Sequence, residues 1–314
     1  MPYYETQFRT IDGTELHGRV YPAPGRGPGL VMCPGFNAVL TMLNLPECAT
    51  RLQTHGITTL LYDPRNIGSS GGRLRNDIDP AQAVGDISDA VTHLMTLHSV
   101  DPKRVGILGI SFGATAAVTA ATADARARFT IAVAPLTDSN FISLAHRRKT
   151  LRLCMKDRES QVLGNMPHTV PVINQHGESE VGFGRGIEME KYRALLRDGR
   201  EIAPGFVNRV TLMTYYKLAL WTPWPLWRLF GLASLDSAAQ AALFVIPEND
   251  QMSLPEAQRR CFDELGYEGR CKKKILTVAG AGHEEVLGDM YLPEVIQNVV
   301  DFMQDTAASD SRSF

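Results

Sequence analysis

The feature that most constrains this chain is the stretch VGILGISFGA at residues 105–114. An apolar run short enough for a buried strand ends in Gly109-x-Ser111-x-Gly113, and small, helix-compatible residues follow directly. Glycines on both sides of the serine permit a sharp strand-to-helix turn, because a Cβ at either position would collide with a neighbouring strand or helix. The pattern therefore predicts a nucleophile elbow, with Ser111 held at a helix N-terminus that favours developing negative charge.

Strands and helices alternate on both sides of this elbow. The dipeptide Asp12-Gly13 predicts a tight turn and an opening β-hairpin. Apolar, β-rich runs then alternate with amphipathic helices, and this alternation fails for about a hundred residues after the sixth strand. The order predicts a doubly wound, mostly parallel sheet of eight strands with a helical cap inserted after strand six. The expected units are a core at 1–138 and 241–305, a cap at 139–240 and a flexible tail at 306–314.

Charge and composition restrict the class of protein. A formal net charge of -2 over 314 residues argues against a nucleic-acid partner, and no apolar run approaches the length of a membrane span. The chain opens without a basic segment followed by an apolar one, so we expect no signal peptide. Five cysteines form no Cys-x-x-Cys pair and leave one over, which suits a reducing, cytoplasmic setting. Apart from one histidine considered below, the histidines lack metal-ligand spacing, so we expect neither metal nor cofactor.

A serine nucleophile needs a base to remove its proton and a carboxylate to orient that base. His283 follows Gly-x-Gly just after a predicted strand, so the backbone can bring its ring over the elbow. The acid is expected between the serine and the histidine in sequence, in the loop after the strand at 242–246. Asp250 is the favoured residue in that loop, and Glu248 is its rival.

Two backbone N–H groups are expected to stabilise a negatively charged oxygen at this site. One belongs to Phe112, the residue after the nucleophile, and the other comes from the loop after the third strand. In that loop Gly35 permits close approach, which makes Phe36 the second donor. The Phe36 ring is free to pack in the core at the same time, because only its backbone donates.

Several sequence blocks resemble those of a known family. They are DPRNIGSSGG at 63–72, DIDP at 77–80 and VDPKRV at 100–105. With the elbow, they are similar to the Xaa-Pro dipeptidyl-peptidase-like branch of the α/β-hydrolase superfamily. Within that branch the chain most resembles fungal polyketide transferases and thioester hydrolases of the fumagillin-pathway type.

This resemblance implies an α/β-hydrolase fold and a triad of Ser111, Asp250 and His283. Two departures from the family pattern stand out. Pro34 occupies a position where His-Gly is usual, so the oxyanion loop lacks that histidine. Some relatives in the polyketide group carry cysteine at the elbow, and the serine here favours hydrolysis or alcohol acylation over carbon–carbon bond formation.

Two clusters in the expected cap suggest how a substrate is bound. Trp221, Trp224 and Trp227 lie in one short stretch, and aromatic density beside a nucleophile suits a long apolar acyl chain; alternatively, these rings form the cap's own core. A basic cluster lies nearby: Arg147, Arg148, Lys149, Arg152, Lys156 and Arg158. A solvated helix face is its default interpretation, and the alternative is a dock for an acidic carrier protein or its pantetheine phosphate.

The sequence thus predicts a serine hydrolase or acyltransferase that forms an acyl-enzyme from an acyl thioester or ester. The resemblance implies a polyketide-type acyl chain and, as a partner, an acyl carrier protein or polyketide synthase. A small-molecule carboxylesterase and a non-catalytic binding protein are the alternatives. Whether water, an alcohol or a carbanion accepts the acyl group, and whether the chain forms a homodimer, stay open.

Overall fold

The computed structural model describes residues 2–138, 144–174, 176, 179, 201, 203–232, 240–266 and 271–310. Its strands are β1 (Tyr4–Arg9), β2 (Glu15–Tyr21), β3 (Gly27–Cys33), β4 (Thr58–Tyr62), β5 (Val100–Ile110), β6 (Phe129–Val133), β7 (Thr169–Val170), β8 (Val210–Thr211), β9 (Ala241–Pro247) and β10 (Lys272–Val278). Its α-helices are α1 (Leu45–Thr54), α2 (Pro80–Met95), α3 (Phe112–Ala123), α4 (Leu144–Val162), α5 (Leu212–Leu220), α6 (Pro255–Asp263) and α7 (Leu292–Asp310), and a 3₁₀ helix spans Trp224–Leu229.

The main sheet has eight strands in the order β1-β2-β4-β3-β5-β6-β9-β10. The first two strands form the antiparallel hairpin expected from Asp12-Gly13, with Gly13 at a φ of 82°. The strands from β3 onward in this sheet pair in parallel, joined by helical crossovers. The predicted fold class, a mostly parallel doubly wound sheet of the α/β-hydrolase type, is confirmed. Because parallel strands end at one edge, the loops after β3, β5, β9 and β10 lie together there.

The sheet is buried on both faces. Every residue of β4, β6 and β9 is buried, as continuous apolar runs require when helices cover a parallel sheet from both sides. Helices α1 and α7 pack on one face, and α2 and α3 pack on the other. Helix α3 follows the elbow and is buried from Phe112 to Ala121, because its alanine-rich surface lets it lie close to the sheet.

The segment inserted after β6 is anchored to the core by a buried carboxylate. Asp77 accepts hydrogen bonds from the Thr211 hydroxyl at 2.6 Å and from the Lys217 ammonium group at 2.6 Å. In addition, the Ile78 N–H donates to the Thr214 hydroxyl at 2.9 Å. These contacts fix the start of α5 against the loop that precedes α2. The DIDP block therefore has a structural role in holding the insertion.

The tryptophan-rich part of the predicted cap packs directly on the core of the main sheet. Trp227 is 1% exposed, and its indole N–H donates to the Thr119 hydroxyl on α3 at 3.0 Å. Gln240, also buried, donates to the carbonyls of Ala121 and Ala127 at 2.9 Å. The 3₁₀ helix and Gln240 thus lie against the core, because α3 has small residues that accommodate a large indole. The cap boundary at residue 240 stays a prediction.

The last helix also differs from expectation. We expected a flexible tail from residue 306, whereas α7 continues to Asp310. Thr306 is 3% exposed and its hydroxyl donates to the Phe302 carbonyl at 2.8 Å, so the helix extends because this turn is still buried. The end of the predicted tail, 311–314, lies outside the described residues. Neither α7 nor any other helix in the described part of the chain has the length and apolar character needed to cross a membrane.

The position of Trp227 gives a stability prediction. Trp227→Ala should lower the free energy of unfolding by about 3–5 kcal/mol, because it removes a fully buried ring. Leu226→Ala is the matched control, since Leu226 is 53% exposed, and it should change that free energy by less than about 0.5 kcal/mol. Urea unfolding followed by circular dichroism measures both. Equal stabilities of the two variants would contradict the placement of Trp227 in the core.

Candidate active site

Ser111 occupies the strained turn that the sequence predicts. Its φ is 58° and its ψ is −124°, a conformation rarely adopted by residues with a side chain, and its hydroxyl does not cap α3. A Cβ at Gly109 would collide with the Gly113 carbonyl, and a Cβ at Gly113 would collide with the carbonyls of Cys33 and Pro34. The two glycines therefore allow the end of β5, the start of α3 and the end of β3 to pack closely around Ser111.

Three side chains from distant parts of the chain meet at this elbow. His283 Nε2 lies 2.8 Å from Ser111 Oγ, and His283 Nδ1 lies 2.8 Å from Asp250 Oδ2. All three residues are buried: Ser111 is 8% exposed, His283 5% and Asp250 2%. Glu248, the rival acid, accepts from the Gly280 N–H at 2.8 Å and so braces the histidine loop without a contact to the ring. The structure brings Asp250, rather than Glu248, to His283.

The Asp250 carboxylate is surrounded by donors. Oδ1 accepts from the backbone N–H groups of Met252 at 2.9 Å and Ser253 at 2.8 Å. Oδ2 accepts from the Gln258 side-chain amide at 2.9 Å, in addition to its contact with His283. Such donors stabilise the ionised carboxylate in a buried site, where an unpaired charge would be costly.

Gln258 is a site residue that sequence analysis did not find. It is fully buried on α6, and its amide also donates to the Ser253 carbonyl at 2.6 Å. Its Oε1 atom is buried without a partner among the described residues. The sequence held one indication of its role. Gln258 lies one turn before Phe262 on the buried face of α6, where an apolar residue would be expected.

The two expected oxyanion donors lie on either side of the nucleophile. Phe112 is the first residue of α3, a position whose N–H has no acceptor within the helix. A Cβ added to Gly35 would lie 3.6 Å from Ser111 Cβ, so the loop carrying Phe36 approaches the nucleophile closely. The Phe36 and Phe112 rings pack edge to face with centroids 6.1 Å apart. The loop that carries Phe36 and the start of α3 thus both lie close to Ser111.

Asp63 and Asn37 hold the loop that carries Phe36. The Asp63 carboxylate accepts from the N–H groups of Leu40 and Ser69, each at 2.8 Å. Asn37, at a φ of 54°, donates its side-chain amide to the Val207 carbonyl at 2.8 Å. These contacts fix both halves of the loop despite Pro34. Sequence analysis missed both residues, because neither lies in a spacing that identifies its partner.

An open cavity of about 830 Å³ begins at the nucleophile. Ser111, His283 and Phe36 are among the residues that line it. Its apolar lining includes Ile110, Met42, Leu43, Val172, Phe206 and Met252. The cavity is therefore large and apolar enough at the nucleophile to accept an acyl chain.

The three tryptophans predicted to bind substrate are not among the described residues that line this cavity. Trp221 packs on the Phe112 ring with centroids 5.6 Å apart, and the Trp224 indole donates to the Leu136 carbonyl at 3.0 Å. Trp227 lies in the core, as described above. Trp221 and Trp224 thus pack on α3 and on the loop after β6, and substrate binding by the three tryptophans stays a prediction.

Comparison with known proteins places this site in a family. Residues 30–296 match the model of the alpha/beta hydrolase family. The chain belongs to that family. This alpha/beta hydrolase is 39% identical over 290 residues to a thiohydrolase of Eupenicillium brefeldianum, covering 91% of this chain and 89% of that protein. It is 35% identical over 300 residues to polyketide transferase af380 of Aspergillus fumigatus, covering 96% and 97% of the two chains.

A solved structure agrees with the sequence relatives. The crystal structure of the alpha/beta hydrolase GrgF from Penicillium sp. sh18 matches this hydrolase with a TM-score of 0.84 at 35% identity, covering 98% of this chain and 100% of that one. The predicted resemblance to fungal polyketide transferases and thioester hydrolases is therefore confirmed.

The basic cluster of this hydrolase lies on α4. A groove of about 550 Å³ on this helix is lined by Arg148, Lys149, Arg152, Leu153 and Lys156. The other two members make contacts within the insertion: Arg147 donates to the Ala219 carbonyl at 3.0 Å, and Arg158 lies over the Tyr216 ring at 5.9 Å. Docking of a carrier protein on this groove stays a prediction, as does a homodimer.

The elbow geometry gives a second stability prediction. Gly113→Ala should lower the free energy of unfolding by about 3 kcal/mol or more, because the added methyl group meets two backbone carbonyls that cannot move independently. Gly85→Ala, within α2, is the matched control: nothing lies within 4 Å of its Cβ, so it should stabilise the hydrolase by about 0.5–1 kcal/mol. Thermal and urea unfolding of both variants measure the difference. A Gly113→Ala variant as stable as the parent would show that the elbow is not closely packed.

Proposed function

We propose that this chain is a serine hydrolase or acyltransferase that forms an acyl-enzyme from a thioester or ester, and that the acyl group is of the polyketide type. The observation that carries the proposal is the hydrogen-bonded line from Asp250 through His283 to Ser111. This line opens on a cavity with an apolar lining beside the nucleophile. Relatives named thiohydrolase and polyketide transferase support the choice of acyl group.

Acylation begins with attack by Ser111 Oγ on the substrate carbonyl carbon. His283 Nε2 takes the hydroxyl proton as the new C–O bond forms, and Asp250 stabilises the resulting imidazolium from the Nδ1 side. When the tetrahedral intermediate collapses, the carbon–sulfur or carbon–oxygen bond breaks. His283 then returns its proton to the departing thiolate or alkoxide, which leaves as the neutral thiol or alcohol.

The backbone N–H groups of Phe36 and Phe112 are proposed to stabilise the oxyanion of that intermediate. A donor aimed at the developing charge lowers the barrier by about 3–4 kcal/mol in a comparable serine enzyme. The positive end of the α3 dipole acts in the same direction, because Ser111 stands at that helix's N-terminus. The contacts of Asp63 and Asn37 contribute by holding the loop in place before substrate binds.

Deacylation uses the same groups in reverse, with a second nucleophile in place of the serine. His283 takes a proton from water or an alcohol as it attacks the acyl carbon, and the proton returns to Ser111 Oγ as the ester bond breaks. A nearby cysteine does not compete for the acyl group: burial raises the pKa of the Cys33 thiol to about 12, so it stays protonated and unreactive.

The central test is removal of the nucleophile. Ser111→Ala should lower kcat on an acyl thioester by about ten-thousand-fold or more, because the acyl-enzyme cannot form. It should also abolish labelling by a fluorophosphonate, whereas Ser88→Ala on α2, the matched control, should label and turn over like the parent. Intact-mass spectrometry reads the label and the trapped acyl group together. Undiminished turnover by Ser111→Ala would exclude the proposed chemistry.

The choice of acyl group requires a separate measurement. We expect long acyl thioesters to be processed with higher kcat/KM than small p-nitrophenyl esters, because they fill the cavity beside Ser111 and bury more apolar surface. If the small esters are turned over far better, a general carboxylesterase is the correct assignment. Adding an alcohol to the assay and identifying the products separates hydrolysis from transfer.

Gln258 gives a prediction about the acid. Gln258→Met keeps the side-chain volume but removes the donor to Asp250. We expect kcat/KM to fall by about ten-fold, because the carboxylate loses one of the hydrogen bonds that fix its orientation. The free energy of unfolding should fall by about 1–3 kcal/mol, because Asp250 and the Ser253 carbonyl each lose a buried donor, although the substitution also eliminates the unpartnered Oε1. Gln258→Glu should be more harmful and should move the acid limb of the pH–rate profile, since it places a second carboxyl group beside Asp250. Profiles identical to the parent in both variants would show that Gln258 only fills space.

A further inference from the structure

The turn that ends α4 exposes three large apolar side chains. Val162 is 80% exposed, Leu163 82% and Met166 81%, and all three lie within the stretch 162–166. A single exposed apolar side chain is ordinary on a protein surface, whereas a group of them at one place is typical of an interaction site. We call these three residues the apolar tip.

The apolar tip lies on a fixed turn. Gly164 has a φ of 93°, and the Asn165 N–H donates to the Ser160 carbonyl at 3.1 Å, which is the hydrogen bond of a Schellman cap. Beyond the tip, the His168 N–H donates to the buried Asp157 carboxylate at 2.8 Å and returns the chain to α4. These contacts fix the backbone on both sides of the tip, so the fold itself presents the three apolar side chains to solvent.

The helix that leads to the apolar tip carries unpaired positive charge. Four exposed side chains line the groove on α4, and no hydrogen bond or ion pair joins any of them to another described residue: Arg148, Lys149, Arg152 and Lys156. We call them the groove cations. Of the two carboxylates on α4, Asp157 is buried, which leaves Glu159 as the exposed one. The exposed surface of α4 is therefore strongly positive.

The groove cations and the apolar tip lie on the same side of α4. Lys149, Lys156 and Leu163 follow one another at a spacing of seven residues, which is almost two helical turns and places them in one row. Leu163 belongs to this row because its N–H continues the helical hydrogen bonding. On the opposite side, Cys154 is buried, and its Sγ lies 3.1 Å from the Leu212 carbonyl oxygen at the start of α5. One exposed side of α4 thus combines several cations with an apolar end.

This combination of groups suits an anionic lipid bilayer. Anionic headgroups attract cationic side chains near a bilayer, and exposed apolar side chains enter the boundary between headgroups and acyl chains. An acidic protein could bind the groove cations, but burial of the apolar tip would then need a complementary pocket in that protein. A bilayer needs no such fit, and the tip residues are not among those that line the groove. The observations therefore favour a lipid surface.

We propose that α4 binds this hydrolase to the surface of an anionic phospholipid membrane. The apolar tip inserts among the lipids, and the groove cations contact the headgroups. This inference goes beyond the proposed function and does not depend on it. The chain from Met166 to Val172 spans at most about 20 Å, and Val172 lines the same cavity as Ser111. The membrane contact is thus made by the insertion that also lines the cavity.

The test measures how the full chain sediments with vesicles of phosphatidylcholine alone and with vesicles that contain about one-third phosphatidylserine. The parent should bind the anionic vesicles at least about ten-fold more tightly than the neutral ones, and high salt should reduce this difference. Leu163→Ser should weaken binding to the anionic vesicles by about ten-fold, because it removes an inserted apolar side chain. Ile11→Ser is the matched control, since Ile11 is 97% exposed on the opening hairpin, and it should bind like the parent.

The groove cations need a separate pair of variants. Lys156→Gln should weaken binding to the anionic vesicles by about five-fold, because one cation near the headgroups is lost, and it should leave binding to the neutral vesicles unchanged. Lys103→Gln, at an exposed lysine on β5, is the matched control and should bind like the parent. Because every replaced side chain is exposed, all four variants should melt at the temperature of the parent.

Two kinds of result would overturn the membrane site. One is a parent that does not bind the anionic vesicles, or that binds them no better than Leu163→Ser and Lys156→Gln do. The other is binding to poly-L-glutamate that is tighter than binding to the anionic vesicles and is retained by Leu163→Ser, which would assign the groove cations to an acidic protein partner. Neither result depends on turnover at Ser111, so a failure of this proposal is distinguishable from a failure of the proposed function.

Discussion

The site depends on one buried carboxylate. Asp250 is 2% exposed, and a negative charge so far from water is stable only if its oxygen atoms accept several hydrogen bonds. Two backbone N–H groups from the turn after β9, the Gln258 amide and His283 supply them. The turn is fixed in its own right, because the Ser253 hydroxyl donates to the Pro135 carbonyl at 2.7 Å. Asp250 therefore cannot turn away from His283 without losing these donors, and the imidazole is held toward Ser111.

Close backbone approach gives the elbow a similar rigidity. Gly113 lies against the end of β3, so the loop that carries Phe36 and the turn at Ser111 are set by one packing arrangement. Here Asp63 binds the N–H groups of Leu40 and Ser69, and burial raises the pKa of that carboxyl group. The geometry of the loop that carries Phe36 is thus maintained by contacts from the segment after β4.

The insertion after β6 both packs on the core and lines the cavity at Ser111, and its amino-acid composition did not show which residues do which. Its tryptophans stabilise the core, with the Trp227 ring centroid 6.2 Å from that of Phe244 and its indole N–H bonded to Thr119. Val172 and Phe206, which carry no conspicuous motif, are the insertion's described contributions to the cavity beside Ser111. Aromatic density therefore did not identify the residues that line this cavity. Large aromatic rings bury much apolar surface when they pack on small side chains, and α3 presents such side chains.

The sequence by itself determined the sheet, the elbow and the order of the site residues, because these are written in local patterns. Apolar runs and helical periodicity specify β3 to β6, the paired glycines specify the turn at Ser111, and Gly-x-Gly places His283 in a tight loop. Only the tertiary structure decided between Asp250 and Glu248, assigned Gln258, Asp63 and Asn37 their partners, and moved Trp227 into the core. Each of those outcomes depends on contacts between residues far apart in the chain. Such contacts are fixed by how the helices pack on the sheet, and no local pattern encodes which distant group a buried polar atom will meet.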